Sequence, residues 1–199
     1  MTTYNNLFKQ KIPFVTVAIV ILNIIGLLYE LSVGEDAAIY EFAMYEGALR
    51  DGEWARFIVS GFLHFGLYHF GSNMLCLVFF GISFEKRIGP VKYALIYLAA
   101  LIGAGVMINF FGGEGIHAGA SGGIWGLMCA TLVLTIKNRQ NPVYVGRGIL
   151  FNLIYSFSAG VSWQGHIGGG IAGFIMACIL LLGGKNNVQQ RRQNELYNA

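Results

Sequence analysis

Long apolar runs, separated by short polar, glycine-bearing or proline-bearing breaks, set the rhythm of this chain. A spanning helix needs about 20 mostly apolar residues. Six stretches qualify: 13–31, 66–84, 92–111, 119–136, 145–161 and 166–183. The fifth and sixth are glycine-rich and are parted only by residues 160–165. Pro13 opens the first run, where no helical donor is lost, and no proline falls inside the others. The pattern predicts an all-α, polytopic bundle of six transmembrane helices. It forms one domain over 1–199, with a core of about 10–184 and a polar tail of 185–199. That Asn/Gln/Arg-rich tail is expected to be poorly ordered. The first run is too long for a signal-peptide core and lacks a small-residue cleavage site, so it reads as a retained span.

Charge adds orientation. Only 12% of residues are charged and 55% are hydrophobic, against about 25% charged in a soluble domain, too few to coat a water-facing globule. The net charge of +3 would fit a nucleic-acid partner, but the placement of the basic residues argues for a membrane and against nucleic acid. If six helices alternate, Lys9, Lys11, Lys86, Arg87, Lys92, Lys137, Arg139, Arg147, Lys185, Arg191 and Arg192 fall on one side. Arg50 and Arg56 fall on the other, with Glu35, Asp36, Glu41, Glu46, Asp51, Glu53 and Glu114. By the positive-inside rule both termini are cytoplasmic and the loop 32–65 is external, as in a bacterial plasma membrane. That loop interleaves Phe42, Met44, Tyr45, Leu49, Trp54, Phe57, Ile58 and Phe62 with charges, which predicts an interfacial segment braced by Trp54 and Arg56. Cys76, Cys129 and Cys178 lie in apolar runs without ligand spacing, so neither a metal site nor a disulfide framework is expected.

Three helices that enter from the outside carry polarity at one depth. The second opens on His64, His69 and Asn73, the fourth on Ser121, and the sixth on Gln164-Gly165-His166. Polar groups at membrane depth are costly and by default mark function. Ser121 is a weak nucleophile unless a base takes its proton, and His166 is the candidate base. Gly122 and Gly126 on the fourth helix, and Gly165, Gly169 and Gly173 on the sixth, form small-residue stripes that allow close helix approach. His69 and Asn73, four apart, share a helical face and can donate to a developing oxyanion together with the Ser121 N–H. Gly119-x-Ser121-x-Gly123 matches a nucleophile elbow formally. No Asp or Glu lies between Glu114 and Glu195, however, so a serine hydrolase here works as a Ser–His dyad. Trp125, one turn beyond Ser121, is placed to stack on His166. His64 is expected to hold the external loop onto the second helix, and His117 to be a solvated loop residue.

This constellation resembles the rhomboid family of intramembrane serine proteases. The resemblance rests on GASG at Gly119 to Gly122, on His166-x-x-Gly169-x-x-x-Gly173, and on the second-helix series His64, His69, Asn73. Trp54-Ala-Arg56 looks like a variant of the family's Trp-Arg motif, and Glu85-Lys-Arg87-x-Gly89 is similar to the segment closing its second helix. The likeness covers about 10–184. It implies Ser121 as nucleophile, His166 as general base and then acid, and His69, Asn73 and the Ser121 N–H as oxyanion donors, with no cofactor. Water would reach them through a polar cavity open to the outside. Substrates would be single-span membrane proteins, met among the membrane lipids.

Two other classes compete. A catalytically inactive rhomboid-like relative would bind membrane clients without cutting them, although many such relatives lack the serine or histidine. A small transporter would call for polarity across the bilayer and an internal repeat; no repeat is detectable, and the polarity clusters near the outer face, though Asn109, Asn152 and Ser156 lie on other helices. A metal carrier built on His64, His69, His117 and His166 would want carboxylates beside them. The sequence carries no signal for an oligomeric state.

Overall fold

Each of the six apolar runs is a helix in the computed structural model of the chain, which describes residues 12–158 and 160–183. Lys9, Lys11, Lys185, Arg191, Arg192 and the polar tail lie outside the described residues. The order is α1 (Phe14–Val33), α2 (Glu35–Phe42), β1 (Met44–Tyr45), α3 (Arg56–Val59), α4 (Gly66–Ile88), α5 (Pro90–Phe111), β2 (Ile116–His117), α6 (Ser121–Lys137), α7 (Val143–Ser156) and α8 (Trp163–Ala177). A 3₁₀ turn, Ser60–Phe62, follows α3, and a π turn, Cys178–Leu182, extends α8.

The fold is an all-α membrane bundle. Helices α1, α4, α5 and α8 with its extension are long and apolar enough to cross a membrane. Helix α6 has 17 residues and α7 has 14. At 1.5 Å per residue those are about 26 and 21 Å, short of a hydrocarbon core of about 30 Å. The predicted fifth run therefore overshoots. Helix α7 stops at Ser156, and the connection that follows is closed by Ser158 N–H to Tyr155 O at 2.9 Å and Val161 N–H to Ser158 O at 3.2 Å. Between α4 and α5, Gly89 takes φ 87°, a conformation that suits glycine, and Pro90 starts α5 where its missing N–H is no loss.

Helix α6 sits in the middle, with residues 122–128 all buried against α4, α5 and α8. Lipid gives helices no hydrophobic reason to associate, so close backbone packing has to supply it. A Cβ at Gly169 would lie 2.2 Å from the Gly122 carbonyl oxygen, and one at Gly173 would lie 2.4 Å from Gly126 Cα. The α8 stripe meets α5 as well, since a Cβ at Gly168 would lie 2.3 Å from Gly103 O. At the other end of α6, the Lys137 ammonium donates to Leu181 O.

Helix α1 has no side-chain cap of its own. Glu85, buried near the end of α4, supplies one. Its carboxylate accepts from Val15 N–H at 3.1 Å, Thr16 N–H at 2.8 Å and the Thr16 hydroxyl at 2.7 Å. An anion at a helix N-terminus satisfies orphan donors and meets the positive end of the helix dipole.

The segment between α1 and α4 is more folded than an interfacial strap. Strand β1 pairs antiparallel with β2, Met44 opposite His117. Arg56 donates to Tyr40 O at 3.1 Å and Ala43 O at 2.9 Å, and its guanidinium lies 5.2 Å from the Tyr45 ring centroid. Trp54 is 68% exposed, so the bracing belongs to Arg56.

Candidate active site

Ser121 is the first residue of α6, after Ala120 as N-cap, so its backbone N–H has no acceptor within the helix. The turn ahead of it is held from three sides. Gly119 has φ +131°, and a Cβ there would lie 2.8 Å from His69 Cε1, so only glycine fits. Its N–H donates to Ser60 O at 2.9 Å. The Ala120 N–H makes a long bond, 3.5 Å, to His64 Nε2. Behind His64, its own N–H donates to the buried Glu30 carboxylate of α1 at 2.6 Å. Burial first, then repulsion from His69, pushes the His64 imidazole down to about 3. A neutral ring is what an acceptor Nε2 requires. His64 thus ties the Ser121 turn, through Ala120, to α1.

His69, one turn into α4, accepts at Nδ1 from the Phe65 N–H at 3.3 Å. That leaves the proton on Nε2, the side of the ring against Gly119. Asn73 is buried on the same face, but its amide donates back to His69 O at 2.9 Å rather than above Ser121.

His166 lies in the first turn of α8, where Ser162 caps the helix by accepting from Gly165 N–H at 3.3 Å. The Trp125 indole stacks on the His166 ring, centroids 5.4 Å apart and planes 25° apart. Nδ1 is 2.7 Å from Ser156 Oγ, at the end of α7. Among the described residues no hydrogen bond joins Ser121 to His166. What joins their helices is backbone contact, for a Cβ at Gly122 would lie 3.4 Å from Gly165 O.

A cavity of about 30 Å³ opens beside Ser121, lined by Ser121, Gly122, Gly119, His117, Ser162 and Gly165 among others, and His166 is not in its wall. That is space for about one water. His117, expected in solvent, is instead half-buried on this cavity, its Nε2 3.2 Å from Gly112 O. Burial lowers its pKa, and the Gly112 carbonyl partly opposes that. Among the described residues no three His, Cys, Asp or Glu side chains converge as a metal would need.

Reading along the sequence missed Ser60 and Glu30, and met Ser156 only as polarity on another helix, without a role. Ser156 stands ten positions before His166, but it shares its run with Arg147 and Asn152 and so does not stand out.

A family model of the Rhomboid domain matches residues 51–183. The chain belongs to the rhomboid family. The rhomboid protease GluP of Bacillus subtilis (strain 168) is 35% identical over 141 residues, 66% of this chain and 27% of that protein. Rhomboid-type serine protease 2 of Emericella nidulans is 31% identical over 138 residues, 64% of this chain and 27% of its own length. The rhomboid protease GlpG of Klebsiella pneumoniae subsp. pneumoniae is 27% identical over 181 residues, 87% of this chain and 65% of that protein. The matches to this rhomboid thus span from about a quarter to about two thirds of these relatives. Their names mark the family as one of serine proteases, and the apolar helices make this member an integral membrane protein.

Proposed function

We propose that this rhomboid is an intramembrane serine endopeptidase cutting the transmembrane segments of single-span proteins near the external face. One observation carries the reading. Ser121 and His166 open two helices whose backbones touch, Gly169 against Gly122, in a chain of the rhomboid family. The six helices then cross in alternation with both termini cytoplasmic, as in a bacterial plasma membrane, and the paired loop β1–β2 is external. The short α6 supports this, because a helix that does not fill the bilayer lets water reach its N-terminal serine.

In this mechanism Ser121 Oγ attacks the scissile carbonyl as His166 Nε2 takes its proton. The oxyanion is held by the Ser121 N–H, the His69 Nε2–H and the Asn73 amide, once that amide turns from its own helix. His166 returns the proton to the leaving amine, and the acyl–enzyme forms. A water admitted from the external side then hydrolyses it with His166 again as base. A cavity of about 30 Å³ holds water but no polypeptide, so the substrate segment must part the helices to enter.

The unmade Ser121–His166 bond and the inward turn of Asn73 favour a second reading, a relative that holds membrane clients without cutting them. Catalytic hydrogen bonds commonly tighten only with substrate bound, which keeps the protease first. The deciding experiment treats the purified chain, Ser121→Ala and His166→Ala with a serine-reactive fluorophosphonate, beside cleavage of a single-span substrate in liposomes. Labelling and cleavage by the wild type alone are expected. A wild type that folds, is not labelled and does not cut any of a panel of single-span substrates gives the site to client binding.

A further inference from the structure

Ser156 has two polar neighbours and one proton. Its Oγ lies 2.9 Å from Asn152 O, one turn back in α7, and 2.7 Å from His166 Nδ1. The carbonyl can only accept, so the hydroxyl proton goes there and Oγ is left as an acceptor. The partner across the gap must then be an Nδ1–H. Ser156 is fully buried and His166 nearly so, which leaves bulk water little part in the choice. The last turn of α7 is itself pinned to the first turn of α8 by the closed connection and by Phe157 stacked on Trp163, centroids 5.9 Å apart.

We propose that Ser156 is the positioning residue of the candidate base: it fixes the His166 tautomer with the proton on Nδ1, so that bare Nε2 faces the reaction. This rests on the Ser121–His166 reading. The chain has no carboxylate after Glu114 in its membrane helices to do this work, and the Trp125 stack sets the plane of the ring but not which nitrogen carries the proton. Nδ1–H donates to Ser156 Oγ before the proton transfer and still does so after Nε2 has received the Ser121 proton. The imidazolium is thereby held without a charged partner, and no proton passes beyond His166.

The test is nitrogen NMR of the full chain in detergent with ¹⁵N-labelled histidine, His166 assigned by its loss in His166→Ala, beside turnover of a single-span substrate. In the wild type Nδ1 should carry the proton and Nε2 should be bare. Ser156→Ala should move the proton towards Nε2 and lower kcat about tenfold, the worth of one hydrogen bond, with KM unchanged. Ser156→Thr keeps the hydroxyl and should restore both. A wild-type ring with its proton on Nε2 overturns the inference, as does a Ser156→Ala variant unchanged in tautomer and kcat. A wild type that neither labels nor cuts is a failure of the protease reading, and the ring spectra still decide whether Ser156 holds the imidazole.

Discussion

Trp125 lies flat on His166, ring centroids 5.4 Å apart and planes 25° apart, across the contact between α6 and α8. Trp125 is one helical turn past Ser121, so a single helix carries both the candidate nucleophile and the plate that sets the imidazole plane. The glycines beside them bring the helices to backbone distance, Gly169 against Gly122 and Gly173 against Gly126. Rigid backbone contact positions the pair and the aromatic face orients it. Such a division suits a site without a carboxylate.

Replacing Trp125 with Ala should therefore reduce kcat by about 10²-fold, the usual scale for a reacting group displaced by about 1 Å. Trp125→Phe keeps an aromatic face and should stay within about tenfold of wild type. Thermal midpoints measured alongside separate this from unfolding. Full turnover by the Ala variant would reduce the stack to packing.

His69 and Asn73 should separate in an alanine comparison. His69 presents its Nε2 side to the turn that delivers Ser121, whereas the Asn73 amide bonds its own helix. His69→Ala should lower kcat by about 10²–10³-fold, the scale of a lost oxyanion donor. Asn73→Ala should lower it by about tenfold, because the amide must first give up a bond. Both are read at saturating substrate. The reverse order would make Asn73 the principal donor and His69 a prop for the Gly119 turn.

The helices are legible in the sequence as apolar runs, and their close approach is legible in the glycine spacing. Small residues at intervals of four announce that two backbones can touch. They do not say which ones, and the stripe on α8 meets α5 at Gly103 as well as α6 at Gly122. The end of α7 is hidden because the apolar run continues through Phe157 to Val161, although the backbone already turns at Phe157 and Ser158. Ser156 cannot be told from an ordinary helix serine bonded to its i−4 carbonyl, as its contact with His166 exists only once two helices are docked. Glu30 is obscure for the same reason, and so are the bonds that tie His64 to it and to Ala120, since a buried carboxylate accepting a distant backbone N–H leaves no local pattern.

Glu85 joins α4 to α1 through three charge-assisted hydrogen bonds in a buried site, and each is 2.7–3.1 Å long. Its removal strands two N–H groups and a hydroxyl away from water. Glu85→Ala should destabilise the fold by about 3–5 kcal/mol, as when one partner of a buried charged interaction is lost. Thr16→Val removes one of the three donors and should be milder, about 1–2 kcal/mol. Thermal unfolding by circular dichroism in detergent reads both. Equal midpoints for Glu85→Ala and wild type would mean that water caps α1.

The His64 ring gives stability a pH dependence whose sign is fixed. Unfolded histidine titrates near 6.5, and burial holds the folded ring down to about 3, so between those values only the unfolded chain takes up the proton. The stabilisation is complete above pH 6.5 and is lost progressively as pH falls towards 3. At pH 4.5 the loss is about 2.7 kcal/mol, from about 1.36 kcal/mol per unit over two units. Carboxylates elsewhere titrate in the same range, so the comparison is with His64→Gln, which keeps an acceptor for the Ala120 N–H and cannot be charged. Lowering the pH from 7.5 to 4.5 should depress the thermal midpoint of the wild type more than that of the variant. Equal depression would mean that water reaches His64 and that the turn before Ser121 is fastened by Ser60 and Gly119 alone.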